Sequence, residues 1–240
     1  MIDKILNWLY PPLCIACKVM LPVNAGNFYI CDRCEPLFER VELPICGRCS
    51  QSLTNEDEIC ASCFGKSFYF DSNVSAFMYD ELMRDLLRDM KFRNKKRIPI
   101  GLGILWAKLI KMPANDFLLT WLPMHPKKQK ERGFNQAEVM AKEIAKASGV
   151  PCRNTLRRIV DTPAQSGLHP KLRQENVKDA FEIVSQESVF DANIVIVDDI
   201  FTTGASLNEC AKVLIEGGAK KIFARTLAIT PRKITSKENR

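Results

Sequence analysis

The residues best placed to do chemistry lie in one stretch, Ile194–Ser206. An apolar run, Ile194–Val197, leads into two carboxylates, Asp198 and Asp199, and then into Thr202-Thr203-Gly204-Ala205-Ser206. A β-branched run suits a buried parallel strand, and ligands of open α/β sheets sit at the carboxyl ends of such strands. The turn that follows opens a helix, whose first N–H groups and positive dipole end attract an anion. Thr202, Thr203 and Ser206 add hydroxyl donors, and Gly204 lets a ligand approach the backbone. The carboxylates repel a phosphate but accept hydrogen bonds from the hydroxyls of a sugar that carries one. The pattern therefore reads as a ribose 5-phosphate site. Two other readings compete. Asp198-Asp199 could merely end a core strand ahead of an ordinary helix cap, or belong to the Mg²⁺ strand of a nucleotide hydrolase. The hydrolase needs Gly-x-x-x-x-Gly-Lys-Ser/Thr. Gly65-Lys66-Ser67 has the tail of that motif, but Cys60 stands at the first glycine. Gly101-x-Gly103 fails as a dinucleotide fingerprint because Trp106 replaces the third glycine.

The second set of reactive residues is sulfur. Of ten cysteines, eight form Cys-x-x-Cys pairs near the N-terminus: Cys14/Cys17, Cys31/Cys34, Cys46/Cys49 and Cys60/Cys63. Each pair makes a knuckle with both thiolates on one side, and two knuckles close a tetrahedron around Zn²⁺. Two sites of four cysteines each are expected. The simplest pairing is sequential, although an interleaved cross-brace fits the spacing equally. A redox pair and an iron–sulfur cluster are the rivals. With four thiolates and no open position, the sites read as structural. Cys152 and Cys210 stand apart and read as small buried hydrophobes.

These features need elements to position them. The chain has 240 residues, 46% of them hydrophobic, enough for one sizeable domain and a small one. The cysteine distribution predicts a double zinc-ribbon module over 1–66, a main domain over 70–230 and a polar tail over 231–240. Leu82, Met83, Leu86, Leu87 and Met90 mark one helix; Ala137, Met140, Ala141, Ile144 and Ala145 mark a second, stopped at Gly149; Leu207, Cys210, Ala211, Leu214 and Ile215 mark a third, stopped at Gly217-Gly218. Phe117–Leu122 and Lys221–Ile229 read as strands. Alternating strands and helices imply a parallel sheet flanked by helices. Ile2, Ile5, Leu6 and Leu9 suit a short amphipathic helix. The longest apolar stretch, Ile98–Ile110, is too short to span a membrane and carries Lys108. The N-terminus reads as no export signal, so a reducing, cytoplasmic setting is expected, with thiolates that bind metal rather than form disulfides.

The net charge of +7 permits an anionic partner. Two cationic runs stand out, Lys91, Arg93, Lys95, Lys96, Arg97 and then Lys127, Lys128, Lys130, Arg132. Cations interleaved with aromatics suit single-stranded nucleic acid; a solvated face beside a phosphate pocket is the plainer reading. Phe92 and Phe134, which sit within these runs, read as core anchors.

The Asp198–Ser206 stretch resembles the signature of the type I phosphoribosyltransferases, an apolar strand, two acidic residues and Thr-Gly. The likeness extends to Pro123-x-His125-Pro126 through Arg132-Gly133-Phe134-Asn135-Gln136, to Thr162-x-x-Gln165, and to Arg173-x-x-Asn176 with Phe181. With the cysteine pairs and Tyr79…Lys91-Phe92, the whole pattern resembles the ComF family. That resemblance implies a type I phosphoribosyltransferase fold behind a small double zinc ribbon, and phosphoribosyl pyrophosphate with Mg²⁺ as ligand. It implies that Asp198 and Asp199 meet the ribose hydroxyls and act as catalytic groups. Thr202, Thr203, Gly204, Ala205 and Ser206 would hold the 5-phosphate. The loop after Leu122, with Arg132, would receive pyrophosphate. The segment Asp161–Asn176 would close over the ligand, and Arg173 would stabilise the leaving group. It implies glycosyltransferase chemistry onto an acceptor that no residue pattern here identifies, or a non-catalytic scaffold with the same pocket. Through natural competence it also implies single-stranded DNA as a partner, and an uptake helicase or other competence protein.

Overall fold

The computed structural model describes residues 11–22, 29–53, 57–93, 95–110, 116–162 and 170–231, with the side chains of 170, 171 and 173 excepted. The amphipathic segment Ile2–Leu9, Gln165 and the tail from 232 onward lie outside the described residues. The main sheet contains β1 (Ser72–Met78), β2 (Phe117–Trp121), β5 (Asn193–Phe201) and β6 (Lys221–Ile229), all parallel, in the order β1-β6-β5-β2. Between β2 and β5 the chain adds a small antiparallel hairpin, β3 (Leu156–Arg158) with β4 (Phe181–Ile183).

Six helices are described. They are α1 (Glu81–Phe92), α2 (Arg97–Leu109), α3 (Pro126–Arg132), α4 (Gln136–Ser148), α5 (Pro170–Glu175) and α6 (Ala205–Glu216). The helical stripe at Leu82–Met90 forms α1, capped by Asp80, whose Oδ1 accepts the Met83 N–H at 2.7 Å. The apolar stretch at Ile98–Ile110 is α2, whose Leu102, Leu105 and Trp106 are fully buried. A helix apolar nearly all round must be covered on most sides. Here the covers include the first zinc ribbon and α4. Gly101 explains how they fit. A Cβ there would lie 2.7 Å from the Tyr29 Cβ and 3.1 Å from the Ile15 Cδ1. The glycine pair that fails as a nucleotide motif is thus a packing device, since a Cβ at Gly103 would press on Met140 and Glu143 of α4.

The sheet divides the apolar interior into two cores. One joins α1, α2 and α4 to β2, β5 and β6; the other joins α6, the hairpin and the opposite face of the same strands. Each zinc-ribbon half enters a different core: Cys14, Ile15, Leu21 and Cys34 the first, Cys46, Cys49 and Cys63 the second. Both open edges of the sheet are closed. Residues 39–41 lie on β1, with Val41 N–H to Ala76 O at 3.1 Å and Met78 N–H to Glu39 O at 2.8 Å. Residues 151–153 lie on β2, with Leu119 N–H to Pro151 O at 2.8 Å. Such closure removes a template for unwanted strand pairing.

Some side chains depart from the sequence reading. Phe134 is buried as expected, but Phe92 is 82% exposed, because it follows the last inward position of α1. Cys210 is fully buried, whereas Cys152 is only half-buried beside β2. The strand at Ile194 runs on to Phe201, so the acidic pair lies inside β5 rather than just beyond it.

Candidate functional site

The zinc-type centres are built from a repeated local geometry. In the first knuckle the Cys14 N–H bonds Val19 O at 2.9 Å, and Lys18, with φ of 64°, returns its N–H to Cys14 O at 3.0 Å. In the third, the Cys46 N–H bonds Gln51 O at 2.8 Å, and Ser50, with φ of 63°, returns its N–H to Cys46 O at 2.8 Å. The antiparallel bridges Leu13–Met20 and Ile45–Ser52 complete the match. The internal repeat therefore extends beyond the cysteines to the surrounding turns.

The thiols gather sequentially, Cys14, Cys17, Cys31 and Cys34 at one centre and Cys46, Cys49, Cys60 and Cys63 at the other, each set within 4.8 Å. The interleaved alternative does not occur. A tetrahedron with Zn–S bonds of about 2.3 Å has edges of about 3.8 Å. The Cys17–Cys31 sulfurs are 3.7 Å apart and the Cys49–Cys60 sulfurs 3.6 Å. Burial and neighbouring thiols push Cys34 up to about 12, while Cys63 and burial also raise Cys49. At Cys14, burial is outweighed by backbone N–H donors, and the thiol falls to about 7. Crowded thiols that resist ionising together suit a divalent cation, which supplies the missing positive charge. Both donor sets fit structural Zn²⁺.

The acidic pair owes its position to unequal strand lengths. β2 ends at Trp121, opposite Val197, so Asp198 and Asp199 continue β5 past its neighbour's end. On the other side β6 still accompanies them, with Asp198 opposite Thr226. Strand alternation turns Asp199 towards α1 and α4. Its Oδ2 lies 2.7 Å from the Lys91 Nζ and accepts a 3.2 Å hydrogen bond from the Gln136 Nε2. Arg132 joins indirectly, donating from Nη1 to the Gln136 Oε1 at 2.7 Å. Asp198 turns back on the backbone and accepts the Asp199 N–H at 2.8 Å.

The two carboxylates are 8% and 6% exposed, so burial opposes the charged form of both. For Asp199 the Lys91 ammonium and its hydrogen bonds overcome burial and lower the pKa. For Asp198 burial and the adjacent Asp199 raise it well above the carboxylate range. Ionisation is thus favoured at Asp199 and opposed at Asp198. Lys91 is itself held above the usual lysine range, since Asp199 outweighs burial.

The following turn has the expected form. Gly204, at φ of 75°, caps α6, and a Cβ there would stand 2.7 Å from the Phe201 ring. Thr202 is exposed, Thr203 and Ser206 half-buried, and Gly204 and Ala205 buried. The Thr203 Oγ1 accepts the Ala205 N–H at 3.4 Å. Across the strand ends, His125 caps α3, and Gly133 ends it in the left-handed region. Asn135 caps α4 and donates to Leu122 O at 3.0 Å, tying that cap to the loop after β2. Asp161 faces His125, Lys127 and Lys128 at 3.8, 3.7 and 3.6 Å. Arg158, near Asp161 and Asp198, bonds the Thr162 hydroxyl, and burial lowers its pKa. The Arg173 backbone belongs to α5, and its side chain lies outside the described residues.

The fold therefore brings Arg132, the acidic pair and the Thr202–Ser206 turn to one end of the sheet. It adds Lys91, Gln136 and Arg158, to which sequence reasoning gave no role at this site. Lys91 was legible as a member of a basic run and of the family pattern, but without a role at this site, because nothing local to α1 indicates that it faces β5. Both runs are largely engaged within the protein: Arg93 and Lys95 meet Asp89 at 3.4 and 2.6 Å. Among the described residues no helix is long and apolar enough to cross a membrane.

Comparison with known proteins agrees with this organisation. Residues 5–64 match the double zinc ribbon domain family. Over 227 residues the chain is 28% identical to "Competence protein F" of Haemophilus influenzae, covering 90% of this chain and 96% of the relative. It is 25% identical to "DNA utilization protein YhgH" of Escherichia coli K12, covering 88% and 94%. To "Competence protein ComFC" of Bacillus subtilis it is 26% identical, covering 79% of each. Similar solved structures include glutamine phosphoribosylpyrophosphate amidotransferase from B. subtilis, at 18% identity and a TM-score of 0.40; the match covers 59% of this chain and 30% of that one. A hypoxanthine phosphoribosyltransferase from Staphylococcus aureus follows at 13% identity and a TM-score of 0.34, covering 60% and 70%. Likeness of that degree carries no argument.

Proposed function

We propose that this chain, a homologue of the competence F and ComFC proteins, binds phosphoribosyl pyrophosphate with Mg²⁺ at the tip of β5 and serves the handling of incoming single-stranded DNA in the cytoplasm. One observation carries the ligand reading. Asp198 and Asp199 outrun β2 and lead directly into the Thr202–Ser206 turn at the start of α6. The α6 N–H groups and hydroxyls take the 5-phosphate, and the carboxylates take the ribose hydroxyls. Arg132 lies on the side of the loop after β2, where it meets the pyrophosphate.

In phosphoribosyl transfer the bond from the anomeric carbon to pyrophosphate breaks, and positive charge develops on the sugar. Asp199, the member whose ionisation is favoured, stabilises that charge. Arg132 neutralises the leaving group, and Arg173, extending from α5, is proposed to assist. Lys91 now occupies Asp199, so the ribose must displace an ammonium to reach it. That contact favours a second reading, a pocket that binds the ligand and signals its presence without turnover. Calorimetric titration with phosphoribosyl pyrophosphate and Mg²⁺ tests the site: the wild type binds, and Asp198→Asn/Asp199→Asn loses binding. Absence of wild-type binding would dismiss the site. A pyrophosphate-release assay with a panel of bases and amines separates enzyme from sensor.

The relatives' names point to DNA, and Phe92, exposed beside Arg93 at the end of α1, is the aromatic surface best placed for a base. Phe92→Ala is expected to weaken binding of an oligothymidylate several-fold without changing its salt slope. Equal affinity for both proteins would remove Phe92 from this role. A competence partner such as an uptake helicase belongs to the same proposal.

A further inference from the structure

A cavity of about 780 Å³ lies between the first zinc ribbon and the start of α2, away from the acidic pair. Its volume is that of a ligand pocket rather than a packing void. The walls are aliphatic, with Pro11, Pro12, Leu13 and Ile98 among them, and Leu13 is 44% exposed. Lys18, Lys95, Lys96 and Arg97 also line it, and no acidic residue does among the described residues.

Among the described residues the charge around this cavity is unbalanced. Asp89, outside the lining, takes Lys95 at 2.6 Å and Arg93 at 3.4 Å, and it also lies in the field of Lys18. Three cations therefore share one carboxylate. The first turn of α2 adds to the excess: it holds no acidic residue, and its N-cap, Lys96, offers no side-chain acceptor. The other long helices on this face are capped by Asp80 and Asn135.

We propose that this groove receives an acidic peptide segment of a partner protein, its carboxylates on Lys96 and the neighbouring cations and its apolar side chains against Leu13 and Ile98. Charge complementarity demands an anion, and the walls select which kind. Nucleic-acid bases stack on aromatic planes. Among the described residues the lining offers none, and the nearby Tyr29 ring already carries the Arg97 guanidinium 5.0 Å from its centroid. Aliphatic walls with a cationic mouth suit a peptide that combines carboxylates with large apolar side chains.

The test is fluorescence anisotropy on the full chain with a labelled octapeptide, two repeats of Asp-Leu-Asp-Phe. Controls are the peptide with Ala at each Leu and Phe, and a decathymidylate. Micromolar binding of the first peptide is expected, at least tenfold tighter than the Ala peptide. Lys96→Glu and Leu13→Ser should each weaken it at least fivefold, with zinc content at two ions per chain and phosphoribosyl pyrophosphate binding as in the wild type. Equal binding of both peptides, competition by decathymidylate at equal concentration, or indifference to Leu13→Ser would overturn the proposal in favour of a purely electrostatic or nucleic-acid surface. No binding at all would overturn it too.

Discussion

Replacing Lys91 by Met tests the central electrostatic feature of the molecule. The substitution keeps most of the aliphatic stem and removes the ammonium that stands 2.7 Å from Asp199. The two side chains are 27% and 9% exposed, so the pair counts as largely buried. Removing one partner of a buried pair costs about 3–5 kcal/mol, because the other charge is left without compensation. Asp199 keeps its hydrogen bond from Gln136, which places the loss near the lower end, about 3 kcal/mol. For a chain of this length that lowers the Tm by roughly 6–12 °C. The sign of the pH dependence follows from the carboxyl. In the wild type the Asp199 pKa is depressed, so its contribution is present above the unfolded carboxylate value and fades as pH falls through the lowered one. Without Lys91 burial dominates and the pKa rises, so Asp199 becomes a burden above that unfolded value. The deficit of Lys91→Met is therefore largest near neutrality, narrows as the pH falls to about 4, the ordinary carboxylate range, and closes only as the pH falls through the lowered wild-type value. Thermal unfolding by circular dichroism across the acid-to-neutral range, on Lys91→Met, Asp199→Asn and the double variant, reads this directly. The double variant should recover most of the loss. A fall in Tm below about 2 °C at neutral pH, well short of the expected shift, or additive single effects, would show that the contact does not govern this region.

Asp198→Asn removes a buried carboxyl whose pKa is raised, so the wild type loses stability as pH climbs from the unfolded carboxylate value towards the raised folded one, and the variant does not. It should be more stable than the wild type at neutral pH while failing to bind phosphoribosyl pyrophosphate, as urea titration and calorimetry would report. Cys14→Ser and Cys63→Ser should each reduce zinc from two ions per chain to one. Because the two ribbon halves enter separate cores, hydrogen exchange should rise over α1 and α2 in the first variant and over α6 and the β3–β4 hairpin in the second. Gly101→Ala sets a methyl 2.7 Å from the Tyr29 Cβ. Overpacking of this kind costs about 1–3 kcal/mol, measurable as a lower urea midpoint with the zinc content retained.

The inventory and the local elements were legible in the amino-acid order alone. Cys-x-x-Cys spacing suits a metal-binding knuckle, and four such pairs suit two tetrahedral centres. The stripes at Leu82–Met90, Ala137–Ala145 and Leu207–Ile215 became α1, α4 and α6, because burial of one face at helical spacing leaves little freedom. The strand at Lys221–Ile229 and the helix stops at Gly149 and Gly217-Gly218 were equally plain. β1 lacks an apolar alternation because its inward residues include Asn73 and Ser75, which are satisfied by Ser50 and Thr226 from distant parts of the chain.

How these parts meet is a property of the folded chain. Folding paired the knuckles in sequence and sent the ribbon halves to opposite faces of one sheet. It carried Lys91 from a basic run to the Asp199 carboxylate, and it left Phe92, the next residue, facing outward. Those outcomes depend on contacts between residues far apart in the chain. Periodicity states that a face is buried, but not which distant side chain it is buried against.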